Sequence, residues 1–323
     1  MRILSGIQPS GSLHLGNYFG MMRPMIGYQD RSELFVFIAN LHALTSVFDK
    51  KTLATGTVDL AINFLALGLD PEKSVFWVQS DIPEVNELTW YLSNLAPVGL
   101  LERSHSYKDK VAKGIAPNAG LFFYPVLMAA DILLFQSDRV PVGKDQKQHL
   151  EITRDIAMKF NNLYGETFTV PEAEIDDTVA TVPGTDGQKM SKSYGNAIDI
   201  FTEKHVLKKN VMSIVTDSTP VDAPKNPDTC NLFALYRLFA SPDSVTSMAE
   251  NYRAGGTGYG EVKKELVELI WDFFAPYRER HEELIKDKEE VRKILREGAE
   301  KARYHAVKTM RKVRKRVGTQ YVK

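Results

Sequence analysis

A chain of 323 residues that is 43% hydrophobic can bury a sizeable core, and it has room for two domains or for one with an appendage. Its 41 Lys and Arg balance 41 Asp and Glu, so the field of the whole molecule does not demand nucleic acid. The single cysteine, Cys230, excludes an intramolecular disulfide and a cysteine-built zinc site, and it fits a reducing compartment. The start, Met1-Arg2-Ile3-Leu4-Ser5-Gly6, lacks the apolar stretch of a secretory signal. The most apolar run, 119–135, is short and carries Pro125 and Asp131, which argues against a membrane span. A cytoplasmic protein without membrane contact is expected.

Residues 2–7 read as a first strand that breaks at Gln8-Pro9-Ser10-Gly11. After the loop through His14, Tyr18, Met21, Met22, Met25 and Ile26 recur at helical spacing. Apolar runs at 34–39 and 74–79 read as strands on either side of a helix at 52–67. A further strand is expected at 138–142 and a last one at 176–183, centred on Thr178–Val182. Buried strands alternating with helices predict an α/β fold, a Rossmann-like parallel sheet with helices on both faces. The polar stretch 100–120 reads as an excursion from that sheet.

Beyond Ile200 the pattern is helical, which predicts an all-α C-terminal part. Residues 216–231 read as a loop, and 232–239, 262–274 and 291–317 as amphipathic helices. The glycine-rich 255–260 joins two helices and does not follow a strand, so it is not a dinucleotide loop. From Lys301 onward nine Lys or Arg occur with no Asp or Glu, a face suited to a nucleic-acid backbone or simply to water.

In a sheet of this kind ligands bind beyond the carboxyl ends of the strands. Gly16 and Asn17 open a helix there, and free N–H groups at a helix start attract phosphate, with His14 nearby. The second candidate is Gly187-Gln188-Lys189-Met190-Ser191-Lys192-Ser193-Tyr194-Gly195-Asn196. Two lysines and two hydroxyls in a glycine-flanked loop suit a polyphosphate, and Met190 is placed to pin that loop to a core.

The third candidate is Tyr124-Pro125-Val126-Leu127-Met128-Ala129-Ala130-Asp131, with Pro125 expected in a first helical turn. Tyr124, Met128 and Asp131 share one helical face. A carboxylate in such apolar company needs a donor, either a nearby group such as Arg139 or the N–H of an aromatic ligand. His42, at the end of the second strand, is either a satisfied core histidine or a ring that stacks on a ligand. Asp145 caps a helix or holds ribose or a metal, Gln146 is placed to hold an amino group, and His149 is expected on the surface.

Taken together, these motifs resemble those of the class I aminoacyl-tRNA synthetases, and within them the compact bacterial, tryptophan-specific group. Ser5–Gly11 with Leu15-Gly16-Asn17 is similar to the first class I signature, and Lys189-Met190-Ser191-Lys192-Ser193 to the second. Met128-Ala129-Ala130-Asp131-Ile132-Leu133 and Val140-Pro141-Val142-Gly143 with Asp145-Gln146 resemble that group's amino-acid pocket and the strand after it. The chain departs from the usual pattern at His14, where threonine is common, at Asn40-Leu41, where Asp-Gln is common, and at Lys144, where an acidic residue is common.

The resemblance implies ATP-dependent attachment of L-tryptophan to tRNA(Trp) through an adenylate, with ATP arriving as its Mg2+ complex and no tightly held protein metal. It implies an ATP site at Gln8, Pro9, Ser10, His14, Gly16, Asn17, Gly143, Lys144, Asp145, Val182, Lys189, Met190, Ser191, Lys192 and Ser193. It implies a tryptophan site at Leu4, Gly6, Gln8, His42, Tyr124, Met128, Asp131, Val140, Val142 and Gln146, and places Lys110, Lys189, Lys192 and Gln8 in the catalytic step. It also implies a homodimer, a catalytic domain over 1–200 with a connecting and dimer region at about 100–177, a helical anticodon-binding domain over 201–290, and a basic terminal helix over 291–323. The rivals are a tyrosine-specific synthetase of the same class and a small-molecule adenylyltransferase.

Overall fold

The computed structural model describes residues 1–9, 11, 13–104, 107–108, 114, 118–143, 146–174 and 182–321. Five parallel strands form one sheet in the order β3-β2-β1-β4-β5: β1 Arg2–Ile7, β2 Glu33–Ile38, β3 Ser74–Val78, β4 Arg139–Pro141 and β5 Glu172–Glu174. The first four lie where the sequence places them. The fifth does not: the strand beside β4 is Glu-Ala-Glu, short and polar because it is an edge that packs few side chains. Of the expected run at 176–183, only Val182 and Pro183 fall within the described residues. They belong to the lysine hairpin, not to the sheet.

Alternation along β2 sorts its side chains between two cores. Leu34, Val36 and Ile38 join Ile3 and Phe76 on one face, and Phe35, Phe37 and Ala39 join Leu4 and Trp77 on the other. On the second face the Ala119–Leu134 helix packs between Glu84–Ser93 and Lys147–Tyr164. Asn118 caps it by accepting from the N–H of Leu121 at 2.8 Å. Because the helix starts at Ala119, Pro125 lies inside it rather than in its first turn, and the bond from residue 125 to the carbonyl of Leu121 is forgone.

The helical C-terminal part continues the first core, in which Leu207, Val211, Leu266, Ile270 and Phe274 are contiguous with the sheet side chains. The last helix, Lys288–Val317, crosses the open β3 edge. Val291 and Leu295 lie in the first core, and Ala302, Ala306, Met310 and Val313 in the second. The crossing point is Gly298, where a Cβ atom would stand 1.8 Å from the carbonyl oxygen of Phe76. A helix thus covers strand groups that would otherwise face water unpaired. Arg303 pairs with Glu84 at 3.0 Å and Arg314 with Glu87 at 2.8 Å, while Lys308, Arg311, Lys312 and Lys315 stand exposed.

Candidate active site

β1 runs into the loop that opens the site. Leu4 and Gly6 face the second core, and the Phe37 ring is so close to Gly6 that a Cβ there would lie 2.3 Å from it. Beyond Gln8 and the buried Pro9, His14 caps the helical segment 15–26. Its Nδ1 accepts from the N–H of Asn17 at 3.3 Å, and the Asn17 side chain accepts from the N–H of His14 at 3.1 Å. Burial pushes the His14 imidazole below its ordinary pKa, Lys192 pushes the same way, and Asp199 opposes both. The ring is therefore neutral at pH 7, and with Nδ1 accepting, its proton sits on Nε2, where a donor can meet phosphate.

The lysine loop is a hairpin tied to this helix start. The N–H of Met190 donates to the carbonyl of Val182 at 3.0 Å, and Pro183 pairs with Lys189. Met190 is buried, and its sulfur accepts from the N–H of Gly16 at 3.3 Å, so it does pin the loop to a core. Leu15 donates to Ile198 and Ile200 to Leu13, both at 3.0 Å, which lashes the chain after the loop to the first signature. The Lys192 ammonium lies against Gly11, where a Cβ would be 3.2 Å from it. Gly11 has φ +83, a conformation that costs glycine little. Burial lowers the Lys192 pKa and Asp199 opposes. Lys189 stands exposed, and the Ser191 and Ser193 hydroxyls bond each other at 2.8 Å.

Asn196 brackets the hairpin from inside. Its Oδ1 accepts from the N–H of Ser191 at 2.8 Å, and its Nδ2 donates to Asp186 at 2.7 Å and to the carbonyl of Lys189 at 3.2 Å. Asn196 closes the lysine stretch in the sequence, but no motif there marks a role for it. The signal was an amide just beyond a glycine turn, where a side chain substitutes for missing backbone pairs.

Asp131 lies on the second face, 3% exposed. Its donors are not Arg139, which turns to Glu172 and Glu174. They are His42 Nε2, 2.9 Å from Oδ2, and Gln79 Nε2, 2.9 Å from Oδ1 and 2.8 Å from Oδ2. Burial raises the Asp131 pKa, and His42 and Gln79 work against that rise. A carboxylate offers about four lone-pair sites, of which three contacts are made among the described residues. His42 is thus a satisfied buried histidine, and its partner is the Asp131 carboxylate. Gln79 was missed, although it directly follows β3, as His42 follows β2.

Met128 and Val142 pack beside Val140 and Leu4 on the same face. The Tyr124 hydroxyl bonds His149 Nε2 and, at 2.8 Å, Ser104. His149 is therefore an interior residue, 1% exposed, and not the surface group expected of it: its helix face turns inward to meet the half-buried Tyr124. Gln146 lies at the start of the Lys147–Tyr164 helix, and its N–H donates to the carbonyl of Gly143 at 2.9 Å. Ser10, Lys110, Lys144 and Asp145 lie outside the described residues.

Two groups of side chains thus follow the carboxyl ends of β1 to β3. One has a fixed acceptor in an apolar pocket, and the other a helix start facing a cationic hairpin. A family model for class I tRNA synthetases (W and Y) matches residues 1–275, and the chain belongs to that family. Within it, a tryptophan--tRNA ligase of Fusobacterium nucleatum is 56% identical over 98% of both chains, and one of Campylobacter jejuni 53% identical over 98% of this chain and all of its own. A crystal structure of tryptophanyl-tRNA synthetase from Campylobacter jejuni, complexed with ADP and tryptophan, superposes with a TM-score of 0.94 at 53% identity, over 98% of this chain and 100% of that one. The chain's place in the family is therefore among the tryptophan--tRNA ligases. No helix among the described residues is long and apolar enough to cross a membrane.

Proposed function

We propose that this chain attaches L-tryptophan to tRNA(Trp), using ATP with Mg2+ as the activating substrate. The observation that carries the reading is Asp131, a buried carboxylate clamped by His42 and Gln79. Indole N–H is a donor with no acceptor, which matches a carboxylate in chemistry. Leu4, Gly6, His42, Met128, Val140 and Val142 enclose the ring, and Gln8, Tyr124 and Gln146 surround the α-amino group.

In the first step a tryptophan carboxylate oxygen attacks the α-phosphorus of ATP, and the bond to the β-phosphate oxygen breaks. Tryptophanyl-adenylate forms and pyrophosphate leaves. The nucleophile is already an anion near neutral pH, so this step needs no general base, and catalysis is positioning and charge stabilisation. Gln8 to Ser10 with His14, Gly16 and Asn17 hold adenosine and phosphates. Gly143, Asp145 and Val182 serve ribose and adenine. Lys110, Lys189 and Lys192, supported by Met190, Ser191 and Ser193, follow the charge onto the departing diphosphate. In the second step a terminal ribose hydroxyl of the tRNA attacks the acyl carbon and AMP leaves.

The working molecule in this reading is a homodimer. Trp90, Val98, Phe123 and Leu163 stand exposed around the connecting region at about 100–177, apolar surface that a second copy would cover. The helical part over 201–290 reads the anticodon, and the exposed basic face of the last helix meets RNA phosphates. Amino-acid-dependent ATP–pyrophosphate exchange tests the proposal. Exchange is expected with tryptophan and absent with tyrosine or with no amino acid, and exchange supported by tyrosine would overturn it.

A further inference from the structure

We propose that Gln79 is a positioning residue for recognition of the substrate ring: it fixes the plane of Asp131 so that the carboxylate presents itself only as an acceptor. The role rests on the tryptophan reading above.

Gln79 is 1% exposed, so each of its polar atoms must be matched inside the protein. Its Oε1 accepts from the N–H of Leu41 at 3.0 Å and from that of His42 at 3.4 Å. Its Nε2 donates to both oxygens of Asp131. The amide cannot be reversed. The opposite orientation would set its NH2 against two N–H donors and its oxygen against a carboxylate. The backbone after β2 therefore dictates which way Gln79 points, and Gln79 dictates the plane of Asp131. His42 is drawn into the same frame, with its N–H on Gln79 and its ring on Asp131 Oδ2.

This arrangement bears on selectivity as well as on affinity. A phenol hydroxyl both donates and accepts, whereas an indole N–H only donates. With both oxygens facing the Gln79 amide N–H groups, Asp131 offers lone pairs to the ligand and rewards a donor. Freed from Gln79, it can turn, or take up a proton and present a hydroxyl instead. Burial already favours that protonated form, and Gln79 is one of the two groups that resist it.

The test uses the full-length chain in ATP–pyrophosphate exchange with tryptophan and with β-(3-benzothienyl)alanine, whose ring carries sulfur in place of N–H. Gln79→Met removes both donors at similar volume, and Gln79→Glu keeps the shape while replacing the donors with charge. Each is expected to raise KM for tryptophan about tenfold to a hundredfold, with much less change in kcat, the scale of a lost hydrogen bond to a charged group. KM for the sulfur analogue should stay put, so the preference for tryptophan shrinks toward that of Asp131→Asn. Combining Gln79→Met with Asp131→Asn should then cost little more than Asp131→Asn alone. The proposal is overturned if both variants keep the wild-type preference, or if both substrates lose equally, as a packing role would give. Wild-type protein that shows no tryptophan-dependent exchange would instead remove the parent reading before any variant is compared.

Discussion

Asp131 illustrates how a buried charge can be diagnosed from its surroundings. Its neighbours Ala129, Ala130, Ile132 and Leu133 are all buried, so a donor had to exist, and the structure supplies two. Asp131→Ala is expected to weaken tryptophan binding by about 1.5–3 kcal/mol, measured by calorimetry, and unchanged affinity would withdraw the pocket assignment. Lys192→Ala should slow adenylate formation by roughly a hundredfold to a thousandfold with little effect on tryptophan affinity. An unaltered pyrophosphate-exchange rate would rule out its role at the leaving group. Asp131 was legible in the sequence because its surroundings were apolar, and His42 because it ends a strand. Gln79 was not, because an uncharged amide raises no alarm until its burial is known. His149 was misjudged for a related reason, since helical spacing alone does not tell which face Tyr124 will claim.

Among the elements, the lysine hairpin depends on one internal amide. Gly184 leaves room for Asn196, since a Cβ there would fall 2.3 Å from Nδ2. Asn196→Ala removes three hydrogen bonds and leaves the N–H of Ser191 without that acceptor. The hairpin should loosen at a cost of about 1–3 kcal/mol, seen as faster amide exchange over 184–196; protection equal to wild type would contradict that. Three strands were readable from sequence as apolar runs, and the fourth as a short stretch around the buried Val140. The fifth was not, because Glu172-Ala173-Glu174 is short and polar and carries no apolar alternation that marks a core. Gly298 looked like one more member of an apolar helix stripe; only the structure shows a strand backbone beneath it. Gly298→Ala should lower the urea midpoint by more than ordinary overpacking, which costs about 1–3 kcal/mol. A variant with wild-type stability would mean that the helix does not seat there as described.

At the scale of the whole molecule, the exposed Trp90, Val98, Phe123 and Leu163 argue for a partner surface, and light scattering should return twice the chain mass of 36.4 kDa. A monomeric mass would contradict the homodimer. The split into a sheet-bearing part and a helical part was legible because hydrophobic periodicity changes after Ile200. Where the final helix docks was not, because its apolar stripe reads the same whatever it lies on.

That docking has a consequence for synthesis. β3 ends at Val78, yet the segment that shields its outer rim is 288–317, more than two hundred residues later. Throughout elongation the growing polypeptide therefore carries a bare row of amide groups, a natural template for pairing with another unfinished copy. Only when the concluding helix leaves the ribosome is that template closed, so misassembly should be most common in molecules cut short before it.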